Sequence, residues 1–245
     1  MKYITTFLTL TVLIITLNNC KTSEQSTKLT VYNDTTKLES EFNLEFTMLN
    51  GESFNHPTYV LWIEDMEGNY IKTLYITKSY ASGIFNYSME TESKWKDESG
   101  ESIQPGALPY WTFKKGLIEN KQLVPTADYP FVDAYTGATA TDDFQFNTNL
   151  EGMSKTYRVL FEVNQPWDWN KFWTNDKYPK SEAYKHSAQP SIIYGAIINN
   201  TSEEFYLNPI GHGDPKGETE KLFTDLSTIT TAKDIFKTIK VQVKN

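Results

Sequence analysis

Apolar side chains recur at every second position over residues 42–48, where Phe42, Leu44, Phe46 and Met48 alternate with polar residues. Successive side chains of a strand point to opposite faces, so this spacing describes a strand with one buried face. A more continuous apolar run follows over residues 59–64. Asp65-Met66-Glu67-Gly68-Asn69 then supplies a hairpin turn, with Gly68 available for a positive φ, and residues 70–77 return as the partner strand. Further strands are expected over residues 143–147, 157–163, 191–198, 204–207 and 235–243. One short helix is expected over residues 105–117, opened by Pro105 and closed near Gly116, with Leu108, Trp111 and Phe113 as its apolar content. There is no repeat, heptad or low-complexity stretch. Short strands separated by turn signals predict a mainly β fold: an antiparallel β-sandwich, immunoglobulin-like in outline, with one short helix, as a single domain over residues 28–245.

The chain has one cysteine, Cys20, so no disulfide can form within it and packing alone must hold the fold. A body of about 220 residues can bury enough apolar surface for that. The position of Cys20 carries a second message. Lys2 precedes a run over residues 3–17 that is almost wholly apolar or threonine, followed by Asn18-Asn19-Cys20. A charged start, an apolar stretch too short to span a bilayer and a sharp switch to polar sequence describe an export signal. Leu17-Asn18-Asn19-Cys20 resembles a bacterial lipobox in its looser form. We therefore expect a lipoprotein signal peptide over residues 1–19, lipidation of Cys20, and a flexible polar tether over residues 20–27. This places the body in the bacterial cell envelope, lipid-anchored, periplasmic or surface-exposed.

Composition narrows the partners. Acidic residues outnumber basic ones 31 to 23, giving a net charge of −8 with no basic run, which argues against nucleic acid and anionic lipid surfaces. Aromatic residues make up 14% of the chain, more than a β-rich core of this size requires, and leave material for a stacking platform.

The segment Asp133-Ala134-Tyr135-Thr136-Gly137-Ala138-Thr139 resembles the flavinylation motif, an acidic residue followed by a small-residue Ser/Thr-Gly-Ala-Thr turn. In proteins carrying that motif, an exported flavin transferase joins flavin mononucleotide (FMN) to the last threonine through a phosphoester. The resemblance makes Thr139 the acceptor, Asp133 the motif acid, and Thr136, Gly137 and Ala138 the turn. The chemistry suits the residues. A hydroxyl must be presented on a thin loop, and Gly137 and Ala138 supply backbone freedom and little bulk. The phosphorus is held by the transferase, so this chain needs no base of its own. Asp, Thr and Gly also suit a plain turn between strands.

A broader likeness spans most of residues 40–243. The hairpin region over residues 58–75, the flavinylation-like segment, Glu162-Val163-Asn164-Gln165-Pro166-Trp167-Asp168-Trp169-Asn170, and Gln189-Pro190-Ser191-Ile192-Ile193-Tyr194 resemble an exported bacterial family catalogued as domain of unknown function 2271. That resemblance implies a periplasmic or surface β-domain associated with flavin-transfer systems, with no established catalytic activity. It also implies a scaffold other than the usual FMN-binding domain.

Trp62, Tyr110, Trp111, Trp167, Trp169 and Trp173 are the aromatics that could flank an isoalloxazine ring. Trp62 lies mid-strand and is expected in the core, whereas Trp111, Trp167 and Trp169 are the stronger candidates. His56, His186 and His212 are far apart, and none has a partner at metal-ligand spacing. His212-Gly213-Asp214-Pro215 lacks the acidic density of a calcium loop. No Gly-x-Ser-x-Gly element is present. The leading expectation is an extracytoplasmic electron carrier with covalent FMN, meeting a membrane or soluble redox partner, rather than a substrate-specific enzyme. The alternative is a cofactor-free immunoglobulin-like lipoprotein that binds a protein partner or glycan. Labelled fatty acid should enter the wild-type protein, and Cys20→Ala should abolish labelling and release the body to the soluble fraction. Equal labelling of that variant would exclude Cys20 as the anchor.

Overall fold

The computed structural model describes residues 28–36, 38, 43–91, 94–118, 121–137, 140–151, 156–199 and 201–244. The expected signal peptide, Cys20 and the expected tether, together with Phe42, Ala138 and Thr139, lie outside them. Eleven strands build two facing sheets: β1 (Thr30–Asn33), β2 (Leu44–Asn50), β3 (Thr58–Glu64), β4 (Tyr70–Thr77), β5 (Tyr135–Gly137), β6 (Phe144–Thr148), β7 (Tyr157–Asn164), β8 (Ile192–Ile198), β9 (Glu204–Tyr206), β10 (Asn208–His212) and β11 (Phe236–Val243). One sheet has the order β1-β6-β2-β11-β9, the other β5-β4-β3-β7-β8-β10. The fold is a β-sandwich, as the alternation predicts. The β3–β4 hairpin forms at the predicted turn: Asn69 N donates to Asp65 Oδ1 (2.8 Å) and Gly68 takes φ 86°.

Two edge pairings depart from the antiparallel expectation, since β1 runs parallel to β6 and β5 parallel to β4. A parallel neighbour needs a crossover, and residues 78–134 provide one by crossing the outer face of the six-stranded sheet. That crossover carries α1 (Lys78–Ser82) and α2 (Pro109–Lys115), and α3 (Glu182–Ser187) lies further along the chain. The predicted helix is α2, shortened to begin at Pro109. The two additional helices have five and six residues, too few turns to leave a 3.6-residue period in the sequence.

Between the sheets lies an aromatic core centred on Tyr59. Its ring stacks on Tyr75 (5.7 Å between centroids), Phe144 (5.5 Å) and Phe161 (5.5 Å), and meets Phe236 edge-on at 5.6 Å. A second core covers the outer face, where Val60, Trp62, Ile76, Leu160 and Ile193 pack under Tyr80, Leu108 and Trp111. Each large side chain removed from water contributes about 1.5–3 kcal/mol, so two such cores can hold a fold without a crosslink.

A buried carboxylate ties the outer layer to the sheet, and a second braces two of its strands. Leu108 at the start of α2 offers no side-chain cap. Its place is taken by Glu162 of β7, which accepts from Tyr110 N (3.1 Å), Trp111 N (2.7 Å) and Ser191 Oγ (2.6 Å), satisfying amides that the helix itself cannot. Glu64 of β3 pairs with Arg158 (3.1 Å), the only arginine in the chain, and accepts from Trp62 Nε1 at 3.1 Å.

Burial pushes the Glu162 carboxyl up from 4.5 to about 7, against the lowering effect of its three hydrogen bonds. A carboxyl that binds its proton more tightly when folded makes the fold less stable as pH rises between the two values. We therefore expect Glu162 to cost the fold up to about 3 kcal/mol between pH 4.5 and 7.5. Urea titrations at those two pH values should show Glu162→Gln losing less stability across the interval than wild type. Parallel losses would refute this.

Candidate functional site

The register places one end of the six-stranded sheet at the centre of interest. Gly137 of β5 lies opposite Thr77 of β4, Thr77 Oγ1 accepts from Tyr59 N (3.4 Å), Tyr59 lies opposite Val163, and Ile192 lies opposite both Val163 and His212. The chain after Gly137, the loop after Asn164 and the loop after His212 therefore all leave the sheet at this end.

The flavinylation-like segment is not simply a thin loop. Its residues Tyr135–Gly137 form β5 at the sheet edge, with Thr136 exposed and Gly137 buried. Gly137 is not among the positive-φ glycines, so the expected backbone freedom is not what its position demands. A Cβ there would come within 2.1 Å of the Tyr75 hydroxyl, which makes close packing the reason for glycine. Immediately beyond residues 138 and 139, the buried Ala140 donates its N–H to the Tyr59 hydroxyl at 3.4 Å. The Tyr59 and Tyr75 rings stack on each other, and burial raises both phenols far above their ordinary range.

Asp133 is exposed, just upstream of β5, and its charge acts on Tyr70 and Lys115. The Lys115 ammonium sits 4.4 Å from the ring centroids of both Trp111 and Phe131, and burial lowers its pKa to about 8 while Asp133 pulls the other way. Trp111 itself is fully buried. Its indole N–H donates to Thr73 Oγ1 (2.8 Å) and Phe131 packs edge-on against it at 5.2 Å. Trp111 therefore anchors α2 and offers no open face to a cofactor, contrary to the expectation. Tyr110 is likewise buried, and Trp62 lies in the outer core as expected.

The loop after β7 divides its tryptophans. Trp169 packs on Tyr184 (5.5 Å), and Trp173 is buried with its indole N–H donating to Thr228 Oγ1 at 3.2 Å. Trp169 is thus half-buried structure, whereas Trp167 projects, 47% exposed. Its φ is 59°, a left-handed conformation that costs a bulky residue roughly 1–2 kcal/mol. A dense network holds it there. Trp169 N donates to Trp167 O (3.0 Å), Thr231 Oγ1 donates to Asp168, and Asn170 Nδ2 donates to Gln189 Oε1 (2.9 Å) and Thr228 O (2.9 Å).

A neighbouring open cleft of about 650 Å³ is lined by Phe172, Trp173, Tyr178, His212 and Phe223. His212 stacks on Phe223 at 5.1 Å, and its Nδ1 lies 2.8 Å from Gly213 O, so Nδ1 donates and Nε2 is the acceptor. Burial lowers the His212 pKa, favouring the neutral ring. The Asp214 carboxylate accepts from Lys216 N (2.9 Å) and Thr219 Oγ1 (2.9 Å). Trp173 and the His212–Pro215 loop stand out in the sequence, but their meeting in one cleft, the burial of Lys115 and the Tyr59–Tyr75 stack depend on strand register and crossover path.

The chain matches no protein-family profile, no curated protein and no solved structure. Trp167→Asn should keep the unfolding free energy within about 1 kcal/mol of wild type, because Asn adopts left-handed backbone readily and relief of strain offsets lost contacts. A loss of about 3 kcal/mol or more in urea would make the ring structural instead.

Proposed function

We propose that this protein is a lipid-anchored, extracytoplasmic electron carrier with FMN held on Thr139 through a phosphoester. The supporting observation is the setting of the motif. Its described residues lie on an edge strand, Asp133 and Thr136 face solvent, and the chain then leaves the sheet at the end where Trp167 stands. Three strand spacings separate β5 from β7, so about 14 Å lies between the two exits. An exposed indole at that range fits a ring carried on an extended ribityl phosphate, and the surface setting suits exchange with protein partners.

In attachment, the Thr139 Oγ would attack the FMN phosphorus of a flavin dinucleotide bound to a flavin transferase. A P–O bond to threonine forms, the phosphoanhydride breaks, the nucleoside monophosphate leaves, and the hydroxyl proton passes to the transferase. Once bound, the flavin supplies the redox chemistry, and the protein contributes attachment, orientation and charge. Trp167 is the residue assigned to stack on it, worth about 0.5–1.5 kcal/mol, enough to orient a tethered ring.

A second reading, a cofactor-free lipoprotein that binds a protein partner or glycan, is favoured by the exposure of Trp167 (47%) and of Phe172 (49%), the latter lining the aromatic cleft. Co-expression with a flavin transferase separates the two. Wild type should gain the mass of one FMN, Thr139→Ala should gain none, and Thr141→Ala, which removes an exposed hydroxyl two positions on, should be modified normally. An unmodified wild type beside a transferase active on another substrate would leave the binding reading in place.

A further inference from the structure

We infer that the cleft beside His212 binds a neutral saccharide, with Phe172 as its stacking surface and His212 Nε2 as its hydrogen-bond acceptor. This rests on the glycan form of the second reading above and does not depend on Thr139. At about 650 Å³ the cleft has the size of a ligand pocket, and like such pockets it joins aromatic walls to a few placed polar groups.

His212 is held firmly. Its ring stacks on Phe223 (5.1 Å, 8°) and meets Trp173 edge-on at 5.8 Å. Its backbone exchanges two hydrogen bonds with Phe223, of 2.8 and 2.9 Å. That approach requires Gly211, where a Cβ would come within 2.7 Å of Phe223 O. Because Nδ1 donates to Gly213 O, Nε2 carries the open lone pair. No described residue donates to Nε2, and the atom is not sealed from the cleft. A fixed acceptor left open in this way suits a ligand hydroxyl. Phe172 supplies an apolar surface: it is half exposed, and Lys177, which does not line the cleft, braces the ring at 3.3 Å and donates to the Phe172 carbonyl at 3.1 Å. Thr228 Oγ1 accepts the Trp173 indole N–H (3.2 Å) and so keeps a proton to donate. Charge in the lining selects against ions. Lys216 pairs with Glu218, the Asp214 carboxylate is engaged by Lys216 N and Thr219 Oγ1, and Lys221 offsets Asp225. Among the described residues no three His, Cys, Asp or Glu side chains gather to hold a metal. A ligand that answers all of this offers hydroxyls and a C–H face without net charge, and a pyranose ring has both.

The test uses the full chain, purified without a flavin transferase, and a panel of neutral oligosaccharides spanning hexose and N-acetylhexosamine linkages, read by isothermal titration calorimetry. At least one should bind with a Kd of about 1 mM or tighter. His212→Phe keeps a ring against Phe223 and removes Nε2, so it should weaken that binding about ten-fold, as expected for one lost hydrogen bond. Phe172→Ala is a surface change and should weaken binding about as much through lost stacking. Tyr129→Ala, which removes an exposed ring on the crossover, should bind as wild type does. The nitrogen-15 resonance of His212 Nε2 should move upfield when the saccharide is added, a signal that a purely structural histidine would not give. No binding at about 1 mM or tighter by any member of the panel, or undiminished binding by both His212→Phe and Phe172→Ala, would overturn the inference. Binding of unstructured peptides in place of saccharides would overturn it too, and would leave the second reading with its protein partner. FMN attachment at Thr139 is scored separately by mass, so the flavin reading stands or falls apart from these outcomes.

Discussion

Strand β3 has no face turned to water, and the rest of the molecule is arranged around that constraint. All seven of its residues are buried. Tyr59, Leu61 and Ile63 point into the core between the sheets, and Val60 and Trp62 point into the core beneath the crossover. A sandwich needs only one covered face per sheet, so the outer layer exists because this hairpin cannot stand bare. The same demand explains the polar groups buried alongside. Covering Trp62 and Leu160 with a short helix brings backbone amides into a dry region, and Glu162 is the acceptor that makes their burial tolerable.

How much of this was legible in the sequence follows from which forces are local. The β3–β4 hairpin could be read almost to the residue, since its apolar run and its Asp65–Asn69 turn are local signals. Strands β2, β6, β7, β8 and β11 were equally visible through alternation or apolar runs. The segment at β5 misled because Thr-Gly-Ala-Thr has turn chemistry, while three residues of edge strand are fixed by a partner 60 residues earlier in the chain, Thr136 opposite Ile76. Gly137 misled for a related reason. Sequence suggests freedom for a glycine, whereas here a phenol from the neighbouring strand takes the space.

The candidate site was legible in its parts and not in its assembly. Asp133, Thr136 and Gly137 could be named as a motif, and Trp167 as a free-standing aromatic. That their chain segments leave one end of one sheet depends on pairings between residues far apart in sequence. Trp111, chosen for the same aromatic character as Trp167, turns out to be the keel of α2. Composition cannot distinguish an indole that braces from one that projects. The φ of 59° at Trp167, held by hydrogen bonds to Asp168 and Asn170, does distinguish them.

The order of the five-stranded sheet has a further consequence for how such a chain comes into being. Strand β11, the last in sequence, sits between β2 and β9, and its Val243 lies opposite Leu44. Half of the inner core therefore cannot close until some two hundred residues have appeared after β2. That sheet stays incomplete during synthesis, because its longest pairing waits for the final strand. Its closure is then a late, non-local step, entered only after the six-stranded sheet has all of its strands.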